Sequence, residues 1–333
     1  MDRMDFTHAV ARLRVIETRL LDKNRIERLL DSETPEDVFK VLQETVYGML
    51  INNIDSAYNY EKVLKEELVN VYTDLYKISP TKEVIDIMSL RYDYHNIKVL
   101  MKAKAMGIDL SNILIPIGTI PVSDFKTAIL SDELKLLDNN FREAIMSVNE
   151  EFNAYSDPQK IDTVLDKFMF KDMLQRAKQL GVDFITEYVK QSIDITNIKT
   201  MLRVKRQNKD GRFLESVLIS GGIIENKLFI DGLNNSLESF ISKIRRISYS
   251  KVLNFILDEY TSTGNIASLD VLYDNYLMEY IRGAKRVNFG PEPIIAYIIA
   301  KETEIKIIRI IMVGKINKVS TEVIRGRLRE LYA

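Results

Sequence analysis

Apolar residues recur at spacings of three and four along most of the chain, with charged residues between them. In the segment EKVLKEELVNVYTDLYKI the apolar positions are Val63, Leu64, Leu68, Val71, Tyr72 and Leu75. This spacing places them on one face of an α-helix. Alternating strand-like runs bounded by Asn-Gly or Asp-Gly turns are nearly absent. The pattern therefore predicts an all-α protein.

Helix starts are marked by capping residues followed by proline. In SETPEDVF, Thr34 is the expected N-cap and Pro35 the first helical residue. In SPTKEVIDI, Pro80 is expected to begin a helix in the same way. The apolar run PIIAYIIA at 293–300 is much shorter than the roughly 20 residues that a membrane-spanning helix needs. With no signal peptide in MDRMDFTHAV, we expect a soluble, cytoplasmic protein.

An internal repeat is the most informative feature. DYHNIKVLMKAK, at 93–104, aligns with DITNIKTMLRVK, at 194–205. Downstream of each, LIPIGTIPVSDF and LISGGIIENKLF also align, so that Gly118 matches Gly222. Matched segments about a hundred residues apart indicate repeated helical bundles, each much longer than the helix pairs of common solenoid repeats.

The matched asparagines are unexpected, since Asn is up to about 0.7 kcal/mol less favourable than Ala inside a helix. An amide side chain can donate and accept hydrogen bonds, so a recurring asparagine indicates a recurring tertiary partner. We expect both asparagines to be buried and to bind the backbone of the glycine loop that follows each repeated helix. The proposed structural brace comprises Asp93, Asn96, Asp194 and Asn197. The alternative is that both asparagines face solvent as remnants of a duplication.

A third, weaker copy is KETEIKIIRIIM at 301–312, with Lys301 and Glu304 where the other copies have Asp and Asn. We expect Glu304 to pair with a basic side chain. Incomplete copies at the two ends of the chain suggest that these ends together complete one bundle. The predicted domains are 1–107, 108–208 and 209–333, with the C-terminal segment packing on the N-terminal helix.

Composition excludes several functions. The formal net charge is −1, from 47 basic and 48 acidic residues, so no overall field attracts nucleic acid or anionic lipid. The absence of cysteine excludes disulfides and thiol chemistry. Gly314-Lys315 lacks the remaining residues of a nucleotide-binding P-loop. We therefore predict no catalytic residue, cofactor or metal, and no small-molecule substrate.

Other candidate chemical groups have simpler interpretations. His8 and His95 are expected to be surface or structural residues, because nothing in the sequence pairs them with a second ligand or base. The carboxylate pairs Glu66-Glu67 and Glu150-Glu151 lie on polar faces of predicted helices and are expected to be solvated. The SGG segment at 220–222 could hold a phosphate, but its match to PIG in the first copy favours an ordinary loop.

Three basic clusters lie at 203–212, 242–251 and 280–289, each with aromatic residues nearby. Such clusters can bind single-stranded nucleic acid through charge and base stacking. Solvated surfaces, or docking surfaces for an acidic protein, are the interpretations that we prefer. In the third cluster, Arg282, Lys285 and Arg286 are the candidate partner interface.

Several segments in register resemble one known family. The N-terminal part contains AVARLRVIETRLLDKNRIERLL and VLQETVYG, the middle contains the two repeated helices, and the C-terminal part contains PEPIIAYIIAKETEIKIIRIIMVGKINKVSTEVIRGRL. From about residue 6 to 330 the chain resembles the C subunit of bacterial and archaeal V/A-type rotary ATPases, the counterpart of the eukaryotic d subunit. The resemblance implies three related helical bundles forming a funnel with approximate threefold symmetry.

The same resemblance implies a function without catalysis. The protein would be part of the central stalk, joining the shaft subunits to the cytoplasmic loops of the membrane proteolipid ring and transmitting torque for proton or sodium transport. It would be monomeric when isolated and would lie at the cytoplasmic side of the membrane. The alternatives are a generic helical scaffold, which would form no complex with ATPase subunits, and a nucleic-acid binder, whose affinity would fall steeply with salt.

Overall fold

The computed structural model describes residues 2–155, 157–247 and 249–333 of the 333-residue chain. These described residues form helices joined by loops and contain no β-strand, which confirms the all-α prediction. The α-helices are α1 Thr7–Glu17, α2 Lys23–Asp31, α3 Pro35–Gln43, α4 Gly48–Ile51, α5 Tyr60–Ile78, α6 Glu83–Met106, α7 Val122–Leu130, α8 Asn139–Tyr155, α9 Pro158–Leu180, α10 Asp183–Arg206, α11 Gly211–Val217, α12 Asn226–Asn234, α13 Leu237–Ile244, α14 Ser250–Thr263, α15 Ile266–Arg282, α16 Glu292–Ile316 and α17 Thr321–Arg325.

Short 3₁₀ helices occur at Arg3–Phe6, Ala57–Asn59, Ser111–Ile113, Leu134–Leu136 and Gly283–Arg286. The structure confirms one of the two predicted helix starts and contradicts the other. Thr34 caps α3 by accepting a hydrogen bond from the amide of Asp37, and Pro35 is the first helical residue. The prediction for Pro80 is wrong, because α6 begins three residues later, at Glu83.

The chain forms two compact units. The terminal unit comprises Met1–Ile85 and Ala267–Ala333, so both ends of the chain belong to it, and the middle unit comprises Asp86–Ile266. The two-unit division does not test the predicted boundaries at 107 and 208, and the three-bundle arrangement stays a prediction.

The core of the terminal unit is built around α16. Its first nine residues, 292–300, are buried on every side, as an apolar helix segment requires, whereas Arg309 and Val313 further along are exposed. Helices α1, α3 and α5 pack against α16. The facing helices contribute apolar residues at helical spacing, such as Leu64, Val71 and Leu75 of α5, all buried. This packing brings the N-terminal helices of the chain against its last long helix.

The core of the middle unit includes aromatic clusters beside the repeated helices. The rings of Tyr94 and Phe125 flank Phe141, with centroids 5.3 and 5.2 Å from it. Phe229 packs on Phe240 with centroids 5.7 Å apart. Because Phe125 and Phe229 are matched positions in the repeat, each copy places a buried aromatic ring at the fourth residue of a short helix, α7 or α12.

Candidate functional site: buried polar braces on the repeated helices

Asn96 on α6 and Asn197 on α10 each bind both backbone polar groups of a single loop residue. The Asn96 side chain donates to the carbonyl of Ile115 and accepts from its amide, both at 2.8 Å. Asn197 does the same with Ile219, at 2.7 and 2.9 Å. Both asparagines are at most 1% exposed. A two-bond contact of this kind fixes the position and orientation of the loop residue that it holds.

The two aspartates lie one helical turn before the asparagines and hold the far side of the same loops. Asp93 accepts from the amides of Thr119 and Ile120, at 2.8 and 3.2 Å. Asp194 accepts from the amides of Ile223 and Ile224, at 2.9 and 3.1 Å. The aspartate and the asparagine of each copy therefore bind their loop by hydrogen bonds at two places. Their stabilising role stays a prediction that unfolding experiments can test.

Burial raises the pKa of Asp93 to about 6, although the hydrogen bonds from Thr119 and Ile120 favour the ionised form and oppose this shift. Burial likewise raises the pKa of Asp194 to about 6, against the opposing hydrogen bonds from Tyr249 and the loop amides. Both carboxyls therefore titrate closer to neutrality than an ordinary aspartate does.

The matched glycines are explained by the close approach of these carboxylates. A Cβ on Gly118 would lie 1.9 Å from Oδ1 of Asp93, and a Cβ on Gly222 would lie 2.0 Å from Oδ1 of Asp194. Neither position can carry a side chain without displacing the aspartate. The repeat therefore preserves a glycine and an aspartate as one packing unit.

A lysine at the end of each repeated helix binds the end of a short helix. Lys104 donates to the carbonyl of Ile129 in α7 at 2.8 Å, and Lys205 donates to that of Leu233 in α12 at 3.0 Å. Both carbonyls belong to the penultimate residue of a nine-residue helix. An ammonium group there donates to carbonyls that have no hydrogen-bond partner within the helix. Its positive charge also interacts favourably with the negative end of the helix dipole.

The third copy meets the same requirement with different charges. Glu304, where the other copies have Asn, accepts the amide of Leu21 at 2.5 Å and the hydroxyl of Tyr47 at 2.7 Å. Lys301, where the others have Asp, donates to Glu304 at 2.7 Å and to Glu67 at 3.0 Å. Lys301 and Glu304 are at most 2% exposed. Glu304 thus pairs with a basic side chain, although its partner lies on the same helix.

Leu21 occupies the loop position that the aspartates bind in the other copies. Leu21 lies two residues before the first residue of α2. Ile120 and Ile224 lie two residues before the first residues of α7 and α12, respectively. Lys315 of α16 donates at 2.6 Å to the carbonyl of Leu30, the penultimate residue of the nine-residue α2. The third copy therefore uses a loop and a helix from the N-terminal part of the chain.

The buried charges of the third copy affect one another. Burial alone lowers the pKa of Lys301, but the negative charges of Glu304 and Glu67 outweigh burial and raise it above the ordinary lysine value. Burial raises the pKa of Glu67, and the nearby Lys301 charge opposes that shift. The prediction that Glu66 and Glu67 are both solvated is wrong for Glu67, which is 8% exposed.

The candidate partner residues lie in and beside the 3₁₀ helix Gly283–Arg286. Arg282 is partly buried and its guanidinium binds Glu330 at 2.9 Å, so its charge is used within the terminal unit. Lys285 lies over the ring of Tyr332, 4.6 Å from its centroid, and is exposed, as is Arg286. The structure thus separates Arg282 from the two exposed cations, and the interface remains a prediction.

The two histidines differ in their surroundings. His8 is exposed, and Nε2 of His95 lies 3.0 Å from the carbonyl oxygen of Ile113. Within the part of the chain that the structure describes, no group of three or more His, Cys, Asp or Glu side chains is arranged to hold a metal ion. No helix among the described residues is long and apolar enough to cross a membrane.

The geometry defines an all-helical repeat protein in which buried polar side chains of long helices hold loops and helix ends. The profile of the ATP synthase (C/AC39) subunit family matches residues 9–327, and the chain belongs to that family. It is 28% identical over 317 residues to the C subunit of the V-type sodium ATPase of Enterococcus hirae, covering 95% of each chain. It is also 28% identical over 355 residues to the C subunit of the A-type ATP synthase of Methanocaldococcus jannaschii, covering 99% of this chain and 88% of the relative.

Proposed function

We propose that this protein is a non-catalytic central-stalk subunit of a V/A-type rotary ATPase or ATP synthase. It joins the rotating shaft subunits to the cytoplasmic loops of the membrane proteolipid ring and transmits torque for proton or sodium transport. Membership of the ATP synthase (C/AC39) subunit family over nearly the whole chain supports this function. The names of the Enterococcus and Methanocaldococcus relatives support the same kind of complex.

The buried braces are the observation that carries the mechanical part of the proposal. In the middle unit, two matched loops are each held at two points by buried, hydrogen-bonded side chains. Fully satisfied buried polar contacts make a structure rigid, because any loop displacement leaves polar groups without partners. Torque transmission requires such rigidity, since a compliant joint would absorb rotation as deformation.

We further propose that the chain is organised as three bundles, at 1–107, 108–208 and 209–333, arranged with approximate threefold symmetry as a funnel. The matched register of α2, α7 and α12 supports a threefold repeat. The isolated chain is proposed to be a monomer, peripheral to the membrane on the cytoplasmic side, without cofactor or nucleic-acid partner. Lys285 and Arg286 are proposed to contact an acidic partner surface, with Arg282 holding the local backbone.

The proposal is tested by depleting this protein from membranes that contain the assembled complex. The expected result is a catalytic head that still hydrolyses ATP while ion transport stops, because shaft and ring lose their connection. Adding back the purified chain should restore transport, whereas adding back a chain with Lys285→Glu and Arg286→Glu should restore it less well. Normal ion transport by the depleted membranes contradicts the proposal.

The isolated chain provides a second test. We expect light scattering to give the mass of a monomer, and we expect no ATP hydrolysis above the buffer rate. Turnover that persists through independent purifications contradicts the non-catalytic role. Failure to bind any ATPase subunit in a pull-down favours the generic scaffold, and salt-sensitive retardation of single-stranded nucleic acid favours the nucleic-acid binder.

A further inference from the structure

A cavity in the middle unit is lined on one side by lysines and on the other by the glycine loop of the second copy. Its volume is about 720 Å³, and Lys167, Lys171 and Lys178 of α9 line it. Spacings of four and seven residues place these three lysines on one face of that helix. Glu215 is the acidic residue of the lining, so the lining carries a net positive charge of two.

The lysine charges are only partly used inside the protein. Lys167 donates a hydrogen bond to the carbonyl of Ser216. Burial, followed by the nearby charge of Lys160, lowers its pKa. Lys171 and Lys178 are exposed, and neither forms an ion pair with a described residue. The ammonium group of Lys171 lies 5.5 Å from the centroid of the Phe168 ring, a contact that does not neutralise its charge. Both ammonium groups therefore keep a positive charge that can bind an anion in the cavity.

The loop opposite the lysines supplies backbone donors. Asn197 holds Ile219, and Asp194 holds Ile223 and Ile224, so both ends of the intervening segment 220–222 are fixed. The amides of residues 220–222 themselves form no hydrogen bond with any described residue. Consecutive unpaired amides on a fixed loop are a common means of binding phosphate oxygens.

Gly221 shows why this loop differs from its counterpart in the first copy. It has φ +105°, and a Cβ there would lie 2.6 Å from Leu174 of α9, so the loop lies directly against the lysine helix. The matched positions in the first copy are Pro116, which has no amide hydrogen, and Ile117, which is buried. Both copies thus have the brace of aspartate and asparagine. Within the described residues, the second copy alone has unpaired loop amides beside the basic cavity.

We propose that this cavity binds a phosphate-bearing anion between the lysines of α9 and the amides of Ser220 and Gly221, the two residues of segment 220–222 that line it. Several donors from two sides match the three or four oxygens and multiple charge of a phosphate group better than the two oxygens of a carboxylate. The volume accommodates more than one phosphate group. A soluble di- or triphosphate and the headgroup of an anionic phospholipid share this chemistry.

The test uses the full-length chain, with inorganic pyrophosphate in calorimetric titrations and with vesicles of phosphatidylglycerol or phosphatidylcholine in sedimentation assays. The variant Lys171→Gln with Lys178→Gln removes two cavity charges. Its matched control is Lys82→Gln with Lys135→Gln, which removes two exposed charges elsewhere. Binding should weaken about tenfold or more in the first variant, because each lost charged hydrogen bond weakens binding substantially, and should be unchanged in the control.

Ser220→Pro provides an independent test, because it removes one loop amide by copying the residue at the matched position of the first copy. It should weaken binding roughly threefold to tenfold with an unchanged circular dichroism spectrum. Pyrophosphate binding with these effects identifies a soluble ligand, and phosphatidylglycerol binding with the same effects identifies a lipid headgroup. No binding of either probe, or equal loss in the cavity and control variants, overturns the proposal.

Discussion

The middle unit and the terminal unit hold corresponding loops with opposite arrangements of charge. In the middle unit, Asp194 binds the loop amides and Asn197 binds a residue further back in the loop. In the terminal unit the aspartate position carries Lys301, and Glu304, at the asparagine position, binds the loop amide. The requirement preserved by the duplication is therefore a buried acceptor for a loop amide, and not a particular residue at a particular position.

The difference also changes how each unit depends on its charges. The middle unit buries a single carboxylate in each brace, while the terminal unit buries two carboxylates around one ammonium group. A lone buried carboxylate can avoid the cost of burying its charge by taking up a proton. When one partner of a buried ion pair is removed, the other charge stays buried without a counter-charge. The two units should therefore respond differently to mutation and to pH.

The largest effect is expected for Lys301→Met. This change leaves Glu304 and Glu67 buried without a counter-charge, which should lower the free energy of unfolding by roughly 3–5 kcal/mol. Urea unfolding monitored by circular dichroism measures the change. The control is Lys62→Met, which alters an exposed lysine of α5 and should have little effect.

A double variant sharpens this result. Adding Glu67→Met to Lys301→Met should recover part of the lost stability, because one uncompensated carboxylate is removed. If Lys301→Met is no more destabilising than the Lys62 control, the buried ion pairs contribute nothing to stability.

The next effect concerns pH and the buried Asp194 of the middle unit. Asp194 has a pKa of about 6 in the folded chain against an ordinary value near 3.8, so between these values the native state binds more protons than the unfolded state. Its contribution to stability is therefore full below about pH 4 and is lost as pH rises through 6, by roughly 3 kcal/mol for a shift of this size.

Carbon-13 NMR titration of the Asp194 carboxyl should give a midpoint near 6. Asp194→Asn should roughly halve the dependence of unfolding free energy on pH between about 4 and 6, because Asp93, with the same pKa, remains. A titration midpoint near the ordinary aspartate value would show that the loop amides and Tyr249 outweigh burial.

A smaller effect is expected for Asn197→Leu. The change leaves the amide and carbonyl of Ile219 buried without partners, at a cost of roughly 1–3 kcal/mol in unfolding free energy. Asn70→Leu, at an exposed position of α5, is the matched control. Asn96→Leu should behave like Asn197→Leu. Unfolding midpoints that equal those of the control would remove the brace hypothesis and leave only the duplication.

The smallest effects are expected for the lysines at the ends of the repeated helices, and they should be graded by burial. Lys315 is buried, Lys205 is half-buried and Lys104 is exposed. Substitution by Met should therefore lower stability most at Lys315, by up to about 2 kcal/mol, and by only a few tenths at Lys104. Thermal unfolding of the three variants measures the order, and a reversed order would contradict a role for these helix-end contacts.

Sequence periodicity was sufficient to predict the helical class, and the repeated asparagines and glycines indicated which loops are held. Glu67 was missed because it follows the charged residues Lys65 and Glu66, although it lies three residues after Leu64 and four before Val71, on the apolar face of α5. That position was a usable signal of burial. No local pattern could identify Tyr47 or Leu21 as partners of Glu304, because they are separated from it by 257 and 283 residues.

This long separation has a consequence for the synthesis of the protein. When Leu21 is added to the growing chain, Glu304, the residue that will hold its loop, is still 283 positions from being added. At about 5–20 residues per second, roughly 15–60 s pass before Glu304 is incorporated. The middle unit is continuous in sequence and can complete its own contacts during this interval. The N-terminal helices must meanwhile wait with apolar surface uncovered, which makes the nascent chain a natural client for a chaperone until its last long helix emerges.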